Sequence, residues 1–185
     1  MNKLVKKVLV GAMAATMMLG SVTTAFAAGS PTEAKEPVKQ EAVTSTSGAT
    51  VNTNTKGQAT VTSVKKTNST EVRIGSVSVD GTKYAVTRIE SKTFANAAKA
   101  EKVVLPNTLK SIGAEAFTGA KSLKTIVIKS KTTVKVNKDA FKNVDTKKMT
   151  IKVTQNMSLA QYKAFKKQLR AAGFKGTIKR VTVGK

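Results

Sequence analysis

The chain has 185 residues, of which 33 are Lys or Arg and 10 are Asp or Glu, and it contains no His and no Cys. The absence of these two residue types excludes nucleophile–histidine pairs, metal sites built on Cys or His, and disulfides. No sequence feature indicates a paired-carboxylate hydrolase either. We therefore predict a protein that is not an enzyme and that holds no metal.

The first 27 residues have the pattern of a secretory signal peptide. Three lysines precede an apolar stretch over residues 8–19, and Ala25-Phe26-Ala27 fits a small-x-small cleavage site. A membrane anchor would need roughly 20 apolar residues, and threonines interrupt this run too early. We predict export with cleavage before Ala28, a secreted or extracellular location, and no transmembrane segment after signal removal.

Residues 28–60 differ in composition from the rest of the chain. They are rich in Ser, Thr, Ala, Gly and Val, and they contain no aromatic residue and no period. Such a segment buries too little apolar surface to offset its chain entropy, which predicts a disordered spacer. Its three lysines balance its three glutamates, so the 27 basic and seven acidic residues from position 61 onward carry the net charge of +20.

The next part of the chain repeats itself. An apolar residue followed five residues later by Phe recurs at intervals of 23 and 24 residues, in segments 89–94, 112–117 and 136–141. Apolar strands at 103–105 and 126–128 lie between these segments, again 23 residues apart. A period in the twenties with one apolar strand per unit is typical of a leucine-rich-repeat solenoid. The three phenylalanines are predicted to stack inside it.

Both ends of the repeats have cap signals. Residues 77–84 alternate around Asp80-Gly81, which predicts a β-hairpin. Ser158 and Gln161 form a capping-box pattern before a helix, which Gly173 ends. The helix is predicted to bury one apolar face: Leu159, Tyr162, Phe165, Leu169 and Ala172. Its other side is basic, so a membrane-surface or partner helix is an alternative to a cap. A final strand is predicted from residue 177.

These elements predict an α+β solenoid of about three leucine-rich repeats. The predicted organisation is an N-terminal β-hairpin cap with the repeats over residues 61–157, and a capping helix and strand over 158–185. The units Val86-Thr87-Arg88-Ile89, Val103-Val104-Leu105-Pro106 and Leu109-Lys110-Ser111-Ile112-Gly113-Ala114-Glu115-Ala116-Phe117 resemble BspA-like leucine-rich repeats. The resemblance covers about residues 72–153, and Pro106 has no equivalent after Ile128 or Val153. It implies a secreted or cell-surface binding protein, often an adhesin, without catalytic activity or a cofactor.

The charge predicts the kind of partner. A net charge of +20 on one small domain costs stability through self-repulsion, which a polyanion relieves. Aligning the repeats places Lys102 beside Thr125 and Thr150, and Val104 beside Val127 and Lys152. Arg88, Ser111 and Lys135 form another outward row. The candidate ligand-binding residues, all predicted on one sheet face, are Arg88, Lys102, Val104, Val127, Lys129, Lys135 and Lys152.

The composition narrows the choice of polyanion. Of the basic residues, 29 are Lys and four are Arg, and there is no Trp. Arginine forks and free aromatic rings read bases, so specific nucleic-acid recognition is not expected. The leading hypothesis is binding to an anionic cell-wall polymer or acidic extracellular glycan, with non-covalent retention at the wall. The alternatives are an adhesin that binds a protein partner through exposed Val104 and Val127, and a structural envelope component.

Overall fold

The computed structural model describes residues 35–182, which form mostly strands and one helix. The predicted signal peptide at residues 1–27 lies outside the described residues, as do residues 28–34 and 183–185. The strands belong to two sheets that share one hydrophobic core. No helix of the described part is long and apolar enough to cross a membrane.

The first sheet has seven strands in the order β1-β2-β3-β6-β8-β10, with β5 paired to β6. Its strands are β1 (Gln40–Thr44), β2 (Thr50–Thr53), β3 (Gln58–Ser63), β5 (Val77–Val79), β6 (Thr82–Ile89), β8 (Ser111–Ile112) and β10 (Lys135–Val136). From β3 to β10 the neighbours are parallel, whereas β1, β2 and β3 form an antiparallel meander. This meander departs from a regular solenoid.

The second sheet has five parallel strands in the order β12-β11-β9-β7-β4. Its strands are β4 (Glu71–Arg73), β7 (Lys102–Leu105), β9 (Thr125–Ile128), β11 (Thr150–Thr154) and β12 (Thr177–Val181). From β6 to β11 the chain alternates between the sheets, so each coil adds one strand to each of them. The count of about three repeats is not confirmed, since this sheet alone has five strands.

Alternation decides which side chains fill the core. Val103, Ile126 and Ile151 are in register on neighbouring strands and fully buried, and Ile178 extends the same row. The first sheet contributes Ile89 and Ile112 from the opposite side of the core in the same way. Parallel strands in register bring equivalent residues into contact, so the 23- to 25-residue spacing becomes a stack of apolar rows.

The predicted aromatic stack is confirmed. The rings of Phe94 and Phe117 are 5.2 Å apart and nearly parallel, and those of Phe117 and Phe141 are 5.3 Å apart. Phe174 adds a fourth, tilted ring 5.2 Å from Phe141. Gly119 lies in the corner after Phe117 with a φ of 94°, and a Cβ there would lie 2.7 Å from the Ala95 Cα. The close stacking of these corners therefore requires glycine at this position.

The hairpin forms as predicted, but it does not end the sheet. β5 and β6 pair around Asp80 and Gly81, whose φ angles of 49° and 83° suit the tight turn. However, β3 pairs with β6 on the side away from β8, so the hairpin lies inside the first sheet. The prediction of an N-terminal hairpin cap is wrong, because three earlier strands extend beyond it.

The prediction of a disordered spacer over residues 28–60 is wrong where the structure describes it. From Gln40 onward this segment forms β1, β2 and the first half of β3. Val51, Thr53, Ala59 and Val61 are buried, while the alternate residues Asn52 and Thr60 face outward. This apolar face is too small to fold alone, but β3 completes it by pairing with the edge of β6.

Helix α1 (Leu159–Ala171) follows β11 and packs beside β10. Its predicted capping box is present between Ser158 and Gln161. Phe165 and Leu169 are buried, and the Gln168 side chain accepts a hydrogen bond of 3.4 Å from the Val136 N–H. The helix therefore covers the edge of the first sheet at β10, where another strand would otherwise pair.

One predicted core residue of the helix is exposed. Leu159, the first residue of the helix, is 54% exposed. The chain then returns through Gly173, with a φ of 86°, to Gly176. A Cβ at Gly176 would clash with the carbonyl oxygens of Met149 and Thr146, so this close approach requires glycine. β12 then begins at Thr177, as predicted.

Candidate binding surfaces

The outer face of the second sheet has two rows of side chains, in the register that the repeat alignment predicts. The first row places Lys102 beside Thr125, Thr125 beside Thr150, and Thr150 beside Thr177. In the second row, which points the same way, each residue neighbours the next across the strands: Arg73, Val104, Val127, Lys152 and Lys179. The residues between these rows point into the core.

The two ends of this face differ in charge. Lys102 Nζ lies 3.2 Å from a Glu71 carboxylate oxygen, and the Arg73 guanidinium contacts the same carboxylate. At the other end, Lys152 and Lys179 are exposed on neighbouring strands and have no ion-pair partner within the described range 35–182. The positive charge of this face is therefore available mainly on β11 and β12.

Val104 does not have the exposed position predicted for it. Its side chain is on the outer side of the sheet but only 5% exposed. It lies on the floor of a groove of about 560 Å³ that Arg73, Ile74 and Lys129 also line. The turn that follows β4 runs beside Val104 and shields it from solvent, and Ile74 donates a backbone hydrogen bond of 2.8 Å to the Val104 carbonyl. Val127 remains half-buried.

Arg88 and Lys135 are on the other sheet. Both neighbour Ser111 in the predicted outward row, which crosses β6, β8 and β10 of the first sheet. The structure thus brings together Lys102, Val104, Val127 and Lys152 on one face, with half-buried Lys129 just beyond β9. The expectation that all seven candidate residues share a single face is wrong, because the two sheets expose separate outer faces.

Ion pairs are concentrated in the first part of the described chain. They join Lys39 to Glu41, Arg73 and Lys102 to Glu71, Arg88 to Glu90, Lys92 and Lys142 to Glu115, and Lys124 to Glu101. Residues 146–185 contain eleven Lys or Arg residues and no Asp or Glu. This asymmetry is visible in the sequence alone, but the repeat alignment did not draw attention to it.

Helix α1 has an exposed basic side. Lys163, Lys166 and Lys167 are exposed, and the described part of the chain offers them no carboxylate within ion-pair distance. Arg170 is more constrained, because its guanidinium donates a 2.7 Å hydrogen bond to the Phe174 carbonyl and lies 5.9 Å from the centre of that ring. Like charges three and four residues apart repel each other on a helix.

Comparison with known proteins identifies the fold. Among solved structures, the chain is similar to a leucine-rich repeat protein from Bacteroides capillosus, with 20% identity, a TM-score of 0.51, and coverage of 81% of this chain and 100% of that chain. A leucine-rich cell surface protein from Faecalibacterium prausnitzii has 20% identity and a TM-score of 0.43, with coverage of 67% of this chain and 34% of that chain. No curated protein matches the chain.

The family follows from the sequence match. The model of the BspA type leucine-rich repeat region matches residues 87–183 in six copies. This range contains the stacked phenylalanines, four of the five strands of the second sheet, and helix α1. The chain has a leucine-rich-repeat fold and belongs to the BspA-type leucine-rich repeat family.

Proposed function

We propose that this protein is a secreted or cell-surface binding protein without enzymatic activity, and that its C-terminal coils bind an anionic cell-wall polymer or an acidic extracellular glycan. Membership in the BspA-type family supports a binding role. The signal-peptide pattern in residues 1–27 supports export, and the basic charge supports non-covalent retention at the wall. The helix and β12 would cap the coil stack.

The observation that carries this proposal is the unbalanced charge of the last coils. Residues 146–185 contain eleven basic residues and no acidic one. Bringing so many like charges together costs free energy, and a polyanion recovers it while releasing its own counterions. Lysine ammonium groups on flexible stems bind such polymers as point charges, without demanding one fixed geometry.

The geometry of β11 and β12 suits an extended polymer. Lys152 and Lys179 project from neighbouring parallel strands, which lie about 4.8 Å apart. Thr150 and Thr177 form the adjacent row on the same face and offer hydroxyl groups for hydrogen bonds. Lys129, beyond the end of β9, adds a third ammonium group beside this face. A chain with an acidic group on each unit could contact several of these positions together.

The alternative function, an adhesin that binds a protein partner through the sheet, has less support. It relied on an exposed apolar row, but Val104 is buried and only Val127 is partly accessible. A protein interface usually needs a larger apolar centre than one valine. Binding of that kind would tolerate moderate salt and would be weakened by Val127→Asp, which distinguishes it from charge-driven binding.

The test is co-sedimentation with purified bacterial cell walls, using walls from which the anionic polymers have been extracted as a control. We compare two triple variants that remove the same charge. One changes Lys129, Lys152 and Lys179 to Gln, and the other changes the ion-paired Lys92, Lys124 and Lys142 to Gln. We expect the first variant to lose most wall binding and the second to lose little. Equal losses, or undiminished binding to extracted walls, would rule out the proposal.

The basic side of the helix provides a further comparison. A third variant changes Lys163, Lys166, Lys167 and Arg170 to Gln. We expect it to weaken wall binding less than the sheet variant does, although it removes four charges rather than three. The reason is that Arg170 is already engaged by Phe174, and the helix lacks the neighbouring threonine row. A larger loss of wall binding in the helix variant would show that the helix, and not the sheet, is the binding surface.

A further inference from the structure

A groove of about 330 Å³ crosses the outer face of the first sheet, on the strands that precede the family repeats and on the first strands within them. Its walls come from β2, β3, β6 and the start of β8. The residues that line it are all polar or basic, and none is a carboxylate. A groove with these features differs from the flat lysine-rich face of the second sheet.

Register explains why these side chains meet. Asn52, Thr60, Arg88 and Ser111 are successive neighbours across four strands, so all four point outward in one row. With strands about 4.8 Å apart, this row spans about 14 Å. The β-bulge in the pairing of β3 with β6 places Thr87 next to the row as an additional residue.

Two amide side chains are fixed with their NH2 groups available. The Asn52 Oδ1 accepts a 2.8 Å hydrogen bond from the Ala42 N–H, which determines that its Nδ2 is the free end. The Gln58 Oε1 accepts a 3.2 Å hydrogen bond from the Asn54 Nδ2, which leaves the Gln58 Nε2 as a donor. Asn54 is itself held by the N–H groups of Lys56 and Gln58, each 3.0 Å from its Oδ1. The groove therefore presents donors in fixed positions.

Two cations complete the groove. Lys110 is exposed, and no ion pair involves it among residues 35–182. Arg88 contacts Glu90 at 3.6 Å, but its side chain is 57% exposed and has further N–H donors. A smaller depression of about 210 Å³ shares Arg88 and Ser111 and continues toward Lys135. Positive charge therefore follows the row of polar residues.

We propose that this groove is a binding site for an acidic saccharide unit, with the amides, Arg88 and Lys110 binding its carboxylate or phosphate oxygens. The hydroxyl groups of Thr87 and Ser111 would pair with sugar hydroxyls, since they both donate and accept. Charged hydrogen bonds from fixed donors favour an anionic ligand over a neutral one. This site is separate from the lysines of β11 and β12, and it gives selectivity for a sugar unit that a diffuse charge does not.

The test is titration calorimetry with the purified protein in about 0.3 M salt, which screens diffuse attraction. The probes are a short hexuronic acid oligomer, a sugar phosphate, and the matching neutral oligomer. We expect the affinity of at least one acidic probe to be higher than that of the neutral oligomer by roughly tenfold or more, as charged hydrogen bonds allow. The acidic probe that binds more tightly then identifies whether the site prefers a carboxylate or a phosphate. Binding of neither acidic probe, or equal binding of the neutral oligomer, would overturn the proposal.

Two nearly isosteric variants make the test specific. Asn52→Asp and Gln58→Glu keep the oxygen that accepts the internal hydrogen bond, but each replaces the outward NH2 donor with a negative oxygen. We expect each substitution to weaken binding of the acidic probe roughly tenfold and to leave the midpoint of thermal unfolding unchanged. Asn68→Asp, at an exposed loop position, controls for the added charge and should have no effect. Equal losses in all three variants would show a diffuse charge effect and overturn the site.

The two proposals fail separately. Asn52→Asp leaves Lys129, Lys152 and Lys179 untouched, so wall co-sedimentation in low salt should remain near the wild-type level. The triple Gln variant of those lysines should retain the calorimetric affinity for the acidic probe. If that variant loses saccharide affinity to the same extent as Asn52→Asp, the groove is not an independent site and the further proposal is wrong.

Discussion

The two ends of the strand stack are closed in different ways and carry different charge. At the N-terminal end, β1, β2 and β3 add an antiparallel meander to the first sheet, and Glu71 forms ion pairs with Arg73 and Lys102 on the second. At the C-terminal end, helix α1 covers the first sheet, and β12 ends the second with no acidic residue after Asp145. Both ends bury their apolar faces well.

The difference shows that packing and charge are arranged independently. Phe165, Leu169 and Phe174 are as deeply buried at one end as Val51 and Val61 are at the other. Folding therefore does not require the ion pairs, and the absence of acidic residues at the C-terminal end has a cost in repulsion without a gain in packing. The proposed binding role of that end would account for the cost.

The largest expected effect comes from removing the N-terminal strands. Deleting residues 35–63 removes Val51 and Val61 from the core and exposes Val86 and Ile89 on β6. We expect a loss of roughly 5 kcal/mol or more, since each buried valine contributes about 2 kcal/mol. Thermal unfolding followed by circular dichroism measures it. An unchanged midpoint would mean that the meander is not part of the folded unit.

The next effect concerns the aromatic stack, which connects the two ends. Phe117→Ala removes the ring between Phe94 and Phe141, and we expect it to cost roughly 3–5 kcal/mol. Leu159→Ala at the exposed start of the helix is the control and should cost less than about 0.5 kcal/mol. Denaturant unfolding measures both. Similar values for the two variants would contradict the stacked core.

A pair of aspartate substitutions distinguishes the two valines on the second sheet. Val104→Asp places a charge in a buried position, and we expect it to destabilise the protein by roughly 2–3 kcal/mol. Val127 is half-buried and close to Lys152, so we expect Val127→Asp to lower the free energy of unfolding by less than about 1 kcal/mol. Equal unfolding midpoints for the two variants would show that Val104 is as accessible as Val127.

The smallest effect tests the charge difference directly. Lys102→Glu breaks the ion pair with Glu71 and should cost up to about 1 kcal/mol at low salt. Lys152→Glu puts a negative charge beside Lys179 and should instead stabilise the protein by a few tenths of a kcal/mol, roughly. Unfolding free energies at low and high salt give the comparison. Destabilisation of the same size in both variants would mean that the ends are electrostatically alike.

The repeat period was sufficient to predict much of the fold. Equal spacing of Ile89 and Ile112, and of Phe94 and Phe117, fixed the register of neighbouring coils, because parallel strands in register align equivalent positions. The Asp80-Gly81 turn and the Ser158 capping box were also readable, since both are local signals with a known geometry.

The remaining features depend on contacts that a local pattern does not encode. The buried residues of β2 and β3 are only valine and alanine, so their strand character appears only once β6 supplies an edge to pair with. Val104 alternates outward, yet the turn after β4 covers it. The groove beside Arg88 was not predicted, because its amide residues lie in the segment that was predicted to be disordered.

The most direct test of the central claim is the salt dependence of binding to a soluble anionic wall polymer. The slope of the logarithm of affinity against the logarithm of salt concentration counts the neutralised charges, at roughly 0.7–0.9 per charge. We predict a steep slope for the wild type, a slope shallower by about two in the Lys129, Lys152 and Lys179 to Gln variant, and little change in the matched Lys92, Lys124 and Lys142 to Gln variant. A slope that is flat in the wild type, or that falls equally in both variants, would contradict the account.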